Sequence, residues 1–163
     1  MTTLQAVNLA DLDTETRDRL SRCSVSEAQE DFGGTFAESI ETWRTADPET
    51  TLGLAFTLGR DPIGITLLKR PPTAPEWVGP YAASLHGLKI ATEAQGNGHG
   101  RSAFTLAIKA AQARWPDLRQ LILAVDAHNA AALGLYRSLG MRDSGPVFQG
   151  RIGAEHRLEL DLG

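Results

Sequence analysis

Apolar and polar residues change their period several times along the chain, and each change marks a structural element. Leu4 to Val7 reads as a short first strand. From Asp13 to Arg22 the chain is polar, with a few apolar residues at helical spacing. Thr35 to Ala46 puts Phe36, Ile40 and Trp43 at i, i+4 and i+7, which is one face of a second helix. Asp47-Pro48 stops it, because the residue before a proline is pushed out of the α region. The period then drops to two. Leu52, Leu54, Phe56 and Leu58 alternate with smaller or polar residues, which predicts a half-buried strand. After the turn at Gly59-Arg60-Asp61-Pro62, Ile63 to Lys69 returns as its antiparallel partner.

Arg70 to Pro80 holds four prolines and is a loop, and Ala83 to Ala91 reads as a central strand. Ser102 to Trp115 returns to helical spacing, with Phe104, Ile108, Ala111 and Trp115 on one face, and Pro116 ends it. Leu118 to Val125 is nearly continuous in apolar residues, as a strand buried on both faces would be. Asn129 to Leu139 predicts a short helix, closed by Gly140 just past its end. Val147 to Ile152 and His156 to Leu162 fit a final hairpin. The order is strand, two helices, three strands, helix, strand, helix, two strands. It predicts an α/β (α+β) fold with a mixed central sheet of about six to seven strands flanked by helices. The strand–helix–strand unit over 83–125 is expected to be parallel and right-handed.

Length and charge narrow the function. A chain of 163 residues suits a single domain, 1–163, and 42% hydrophobic with 22% charged residues is an ordinary globular balance. The net charge of −4 and the absence of a basic run argue against a nucleic-acid partner. Cys23 is the only cysteine, so neither an internal disulfide nor a cysteine zinc site is expected. His86, His99, His128 and His156 show no metal-ligand spacing, and no metal is expected. Asp11, Asp13 and Glu15 stand where a signal peptide needs an apolar core, and no apolar run approaches spanning length. The expectation is a cytoplasmic protein with no membrane contact.

Gly96, Gly98 and Gly100 alternate directly before a helix. A dinucleotide fingerprint starting at Gly96 needs a glycine where Arg101 stands, and the G-K-[ST] ending of a P-loop is absent. What remains is a strand, a tight glycine turn and a helix N-terminus, followed by Arg101 and Ser102. The free N–H groups of such a first turn bind a phosphate or pyrophosphate once glycine lets the anion approach the backbone. A plain strand-to-helix turn would explain one glycine, less readily three.

Gln95-Gly96-Asn97-Gly98-His99-Gly100 resembles the Q/R-x-x-G-x-G/A motif of the GNAT superfamily of N-acetyltransferases. The stretch "LAVDAHNAAALGLYRSLGM", Leu123 to Met141, resembles the second motif of that family, and the order of elements fits over nearly the full chain. The resemblance implies a GNAT fold with splayed central parallel strands and acetyl-CoA as cosubstrate. It implies that the turn Gln95, Gly96, Asn97, Gly98, His99, Gly100 and Arg101, with Ser102, takes the pyrophosphate. Leu88 and Ile90 then lie along the pantetheine arm, Asn129 bonds that arm, and Tyr136 protonates the departing CoA thiolate. A backbone N–H near Leu88 or Ile90 would polarise the carbonyl. The glutamate that family members often use as base is replaced here by Ser84 and His86, so His86 becomes the candidate proton relay, with a reference pKa near neutrality. By strand alternation Lys89 is expected to face away from the ligand, and Glu93 to be solvated. His99 is expected in the loop over the phosphates, and His128 just before the helix cap.

Bland readings stand beside these. Asn129 also suits a plain N-cap, Tyr136 a core aromatic, and His86 a half-buried strand histidine. The implied reaction is acetyl transfer from acetyl-CoA to a primary amine of a small molecule. Acetylation of proteins or peptides, and an acyl-CoA-binding module without turnover, are the alternatives; a homodimer is left open. Glu27, Glu30, Asp31, Glu38 and Glu41 crowd the early helices with no lysine or arginine between them. A solvated face explains them, yet "VSEAQEDFGGTFAESI" also resembles the N-terminal stretch of bacterial polyamine acetyltransferases. That resemblance implies a polyamine or diamine acceptor.

Overall fold

The computed structural model describes residues 2–163. One sheet organises the chain. Strand β1 (Leu4–Asn8) leads into helices α1 (Thr14–Ser21), α2 (Glu27–Gly33) and α3 (Phe36–Thr45). Strands β2 (Thr51–Leu58), β3 (Asp61–Lys69) and β4 (Ala82–Ile90) follow as an antiparallel meander. Helix α4 (His99–Arg114) crosses to β5 (Gln120–Asp126), and α5 (Ala130–Ser138) leads to β6 (Arg142–Asp143), β7 (Phe148–Gln149) and β8 (Ala154–Asp161). The order across the sheet is β1-β2-β3-β4-β5-β8-β6, with β7 also paired to β8.

Both faces are covered. Phe56, Leu85, Leu121 and Leu123 pack on one face against Phe104, Ala107 and Ala111 of α4 and Tyr136 of α5. Ala55, Ile65 and Leu67 meet Leu9, Leu20, Phe36 and Ile40 on the other. This double cover corrects the expectation for β2. Its alternation of large and small residues suggested one solvated face, but every residue from Thr51 to Thr57 is buried. The small residues Gly53 and Ala55 face closely packed helices rather than water.

Three further differences have local causes. Helix α2 lies in a stretch where the sequence pattern shows none, because it buries no side chain and so has no apolar stripe. A reciprocal Ser26–Gln29 capping box at its N-terminus holds it instead. Counting the two-residue β6 and β7, the sheet has eight strands among the described residues, in keeping with the expected mixed sheet of about six to seven. The expected strand Val147 to Ile152 shrinks to β7, as Val147 and Ile152 are exposed and only Phe148 and Gln149 pair with β8. Helix α4 starts at His99, three residues before the apolar pattern begins.

The parallel contact between β4 and β5 positions the site. It runs only from Ala82↔Gln120 to Ser84↔Ile122. Beyond those residues the strands part among the described residues. On the far side of β4, pairing jumps from Leu67↔His86 to Ile65↔Lys89. Three steps on β4 oppose two on β3, so β4 carries a bulge, and Gly87 there has φ +62°. A Cβ at that position would lie 3.2 Å from Lys89 Nζ and 3.3 Å from the Gly33 carbonyl oxygen. The positive φ favours glycine there, and the close approach of the Gly33 carbonyl adds to that preference.

Candidate active site

The parting of β4 and β5 opens a cleft of about 570 Å³. It runs from the N-terminus of α4, past the β4 bulge, to the ends of β5 and β8, and reaches both faces of the sheet. At the α4 end, Gly98 is the N-cap residue in the left-handed region, with φ +78° and no side-chain cap. An L side chain is disfavoured there, and the first-turn N–H groups stay free of a competing cap. Gly100, inside the helix, has ordinary helical geometry, and a Cβ there would come no nearer than 3.7 Å, to Leu135 Cδ2. Gln95 fastens the turn from behind: its Nε2 donates 2.8 Å to the Ile90 carbonyl and 3.1 Å to Gln29 Oε1. Arg101 donates 2.9 Å to Ser138 Oγ, tying the first turn of α4 to the end of α5.

Most of the residues singled out in the sequence meet at this cleft. Leu88, Ile90, Gln95, Gly96, Gly98, His99, Gly100, Arg101, Asn129 and Tyr136 all line it. Asn97 and Ser102 do not. The Asn97 amide turns back toward the Ala94 and Gln95 carbonyls, and Ser102 lies on the exposed side of α4. His99 is the first residue of α4 rather than part of the loop. Glu93 is exposed, and His128 precedes the α5 cap with its side chain in solvent. Asn129 Oδ1 accepts from the Ala132 N–H at 3.2 Å, the N-cap bond, while the residue also faces the cleft.

Tyr136 is almost fully buried, its ring 5.5 Å from that of Phe104. Burial raises its pKa further above the ordinary phenol value, so the hydroxyl keeps its proton. His86 differs from expectation. It does not line the cleft, and Ser84 Oγ lies 2.6 Å from its Nε2. Burial, and then the positive charge of Lys69, push its pKa down to about 4. It is therefore neutral near pH 7 and does not titrate there as the reference value suggested.

Lys89 is the second surprise. Alternation past the bulge sends it, as expected, to the face opposite Ile90, against the Phe36 ring at 5.6 Å. It lines the cleft nonetheless, because the cleft passes between the parted strands to that face. Its Nζ donates 2.9 Å to Ser39 Oγ, and burial lowers its pKa to about 8 against a small opposing pull from Glu38. Sequence reading also missed Gln29, Phe32, Asp126 and Glu155. Only tertiary packing carries α2 and β8 to the cleft, and no local pattern signals them. The five carboxylates of the early helices do not line it: Glu38 is engaged in the Thr35 capping box and Glu41 pairs with Arg44.

A family model described as the acetyltransferase (GNAT) family matches residues 14–141. None of the curated proteins matches the chain significantly. Solved structures agree closely in fold. The GNAT domain of S. lividans PAT superposes with a TM-score of 0.73 at 17% identity, covering 96% of this chain and 89% of that one. An acetyltransferase from Thermus thermophilus gives 0.70 at 20%, covering 99% and 100%. The aminoglycoside acetyltransferase AAC(6')-Ib, solved in complex with coenzyme A, gives 0.74 at 15%, covering 98% and 95%.

Proposed function

The chain belongs to the acetyltransferase (GNAT) family and is an acyltransferase, and from that premise we propose that it transfers the acetyl group of acetyl-CoA to a primary amine of a small molecule. The observation that carries this reading is the cleft between the parted strands, which joins a bare helix N-terminus to a protonated tyrosine. The glycine turn and the first N–H groups of α4 suit a pyrophosphate, since the dipole and unpaired donors favour an anion there. Leu88 and Ile90 flank the arm that follows. Asn129 keeps its Nδ2 for that arm, because its cap bond uses only Oδ1.

Transfer asks for a neutral amine, a polarised thioester carbonyl and an acid for the thiolate. Tyr136 fits the last role: burial keeps it protonated, and its hydroxyl makes no hydrogen bond to the protein among the described residues. His86 enters as a neutral partner of Ser84, not as a base titrating near pH 7. A diamine or polyamine is the narrower acceptor reading. The carboxylates of the early helices give it little support, as they stand outside the cleft. The test is thiol release from acetyl-CoA across a panel of monoamines, diamines and short peptides. Release above hydrolysis with at least one small amine is expected. Release with peptides alone, or with nothing, would overturn the reading.

A further inference from the structure

At the end of the cleft formed by β5 and β8, two carboxylates lie side by side. Asp126 ends β5, and Glu155 is its registered antiparallel partner on β8. Both line the cleft. Asp126 is 5% exposed. Its Oδ1 accepts from the His128 N–H at 2.8 Å, which closes a local turn. Oδ2 is buried and has no hydrogen-bond partner. The imidazole of His128 lies 3.3 Å from Oδ1, not Oδ2, and is largely in solvent. No lysine or arginine pairs with either carboxylate among the described residues. Burial, and then the charge of Asp126, raise the pKa of Glu155, so the two groups repel each other as they stand.

A buried carboxylate oxygen stripped of water and left unpaired is destabilising, and a second carboxylate beside it adds to that. A cation with N–H donors would relieve both. Metal is a poor fit, since no group of three or more His, Cys, Asp or Glu side chains converges among the described residues. We propose that Asp126 and Glu155 form a subsite for an alkylammonium group of the acceptor, with Asp126 Oδ2 accepting one of its N–H bonds.

This ammonium is not the nitrogen that is acetylated. The reacting nitrogen must be neutral to attack, whereas a carboxylate pair holds an amine in its charged form. The acceptor therefore carries at least two amino groups, one anchored and one reactive. The inference rests on the acetyltransferase reading above. It also moves the source of cation selectivity from the acidic surface of the early helices to the cleft itself.

The experiment compares butane-1,4-diamine with butylamine as acceptors for wild type, Asp126→Asn and Glu155→Gln at low salt. Asn preserves the turn-closing oxygen of Asp126, and thermal melts verify folding of each variant. A hydrogen bond to a charged group supports a wild-type preference for the diamine of roughly ten- to a hundredfold in kcat/KM. In each variant that ratio should fall toward one, with acetyl-CoA affinity within about twofold of wild type. Calorimetric titration of the diamine into the CoA-bound protein reads the same subsite without turnover. Binding by wild type that weakens in both variants supports the proposal even if no amine is acetylated, which would count only against the acetyltransferase reading. No diamine binding by wild type, an unchanged ratio in both variants, or a loss of acetyl-CoA affinity in Asp126→Asn would each overturn it.

Discussion

Replacing Lys89 by methionine should stabilise the protein near neutral pH, and the gain should shrink as the pH rises. Lys89 is buried, forms no ion pair among the described residues, and gives up its proton at about 8 in the fold against an ordinary value of 10.5. Between those values the unfolded chain binds more protons than the native state, so stability rises with pH through that window and is lowest below it. At about 1.4 kcal/mol per pH unit, the burden of holding the ammonium near pH 7 is about 3 kcal/mol. Methionine fills similar volume without charge, but it gives up the bond to Ser39 and the contact with the Phe36 ring, worth about 1–2 kcal/mol together. The net gain near pH 7 is then about 1–2 kcal/mol. By about pH 9.5 the gain should fall by about 2 kcal/mol, to near zero or slightly below. The assay is urea unfolding of both proteins at the two pH values, read as a difference of differences, so that every other titrating group cancels. A wild-type-to-variant difference that does not change with pH would refute the account of Lys89 as a buried, unpaired base.

Two further outcomes test the cleft directly. Tyr136→Phe should lower kcat by roughly ten- to a thousandfold with acetyl-CoA affinity nearly unchanged, as expected when an acid acts only in the transition state. A wild-type kcat with chemistry rate-limiting would make Tyr136 a packing residue. Gly98→Val must hold a β-branched residue at φ +78°, so a stability loss of about 1–2 kcal/mol is expected, together with acetyl-CoA binding weakened by about tenfold or more. Unchanged affinity by calorimetry in the folded variant would remove the turn from the cofactor site.

Elements with strong periodicity or punctuation are legible in the sequence alone. Phe36 and Ile40 announced α3, the run from Leu118 announced a doubly buried β5, and Gly98 marked a turn only glycine occupies comfortably. Those signals are local, because they reside in the spacing of neighbours along one element. Helix α2 leaves no trace in the pattern because it buries nothing, and the final hairpin is narrower than its pattern suggests because exposed Val147 and Ile152 look like strand residues. Tertiary structure alone decided the chemistry of the cleft. The partial pairing of β4 with β5 opens it, and the Gly87 bulge sets Lys89 at its wall. Burial, which no single element reports, moves His86 down, Lys89 down and Tyr136 up. The register of β5 with β8 brings Asp126 and Glu155 together across 29 residues of chain, and only the folded sheet places two like charges side by side with no lysine or arginine paired to them among the described residues.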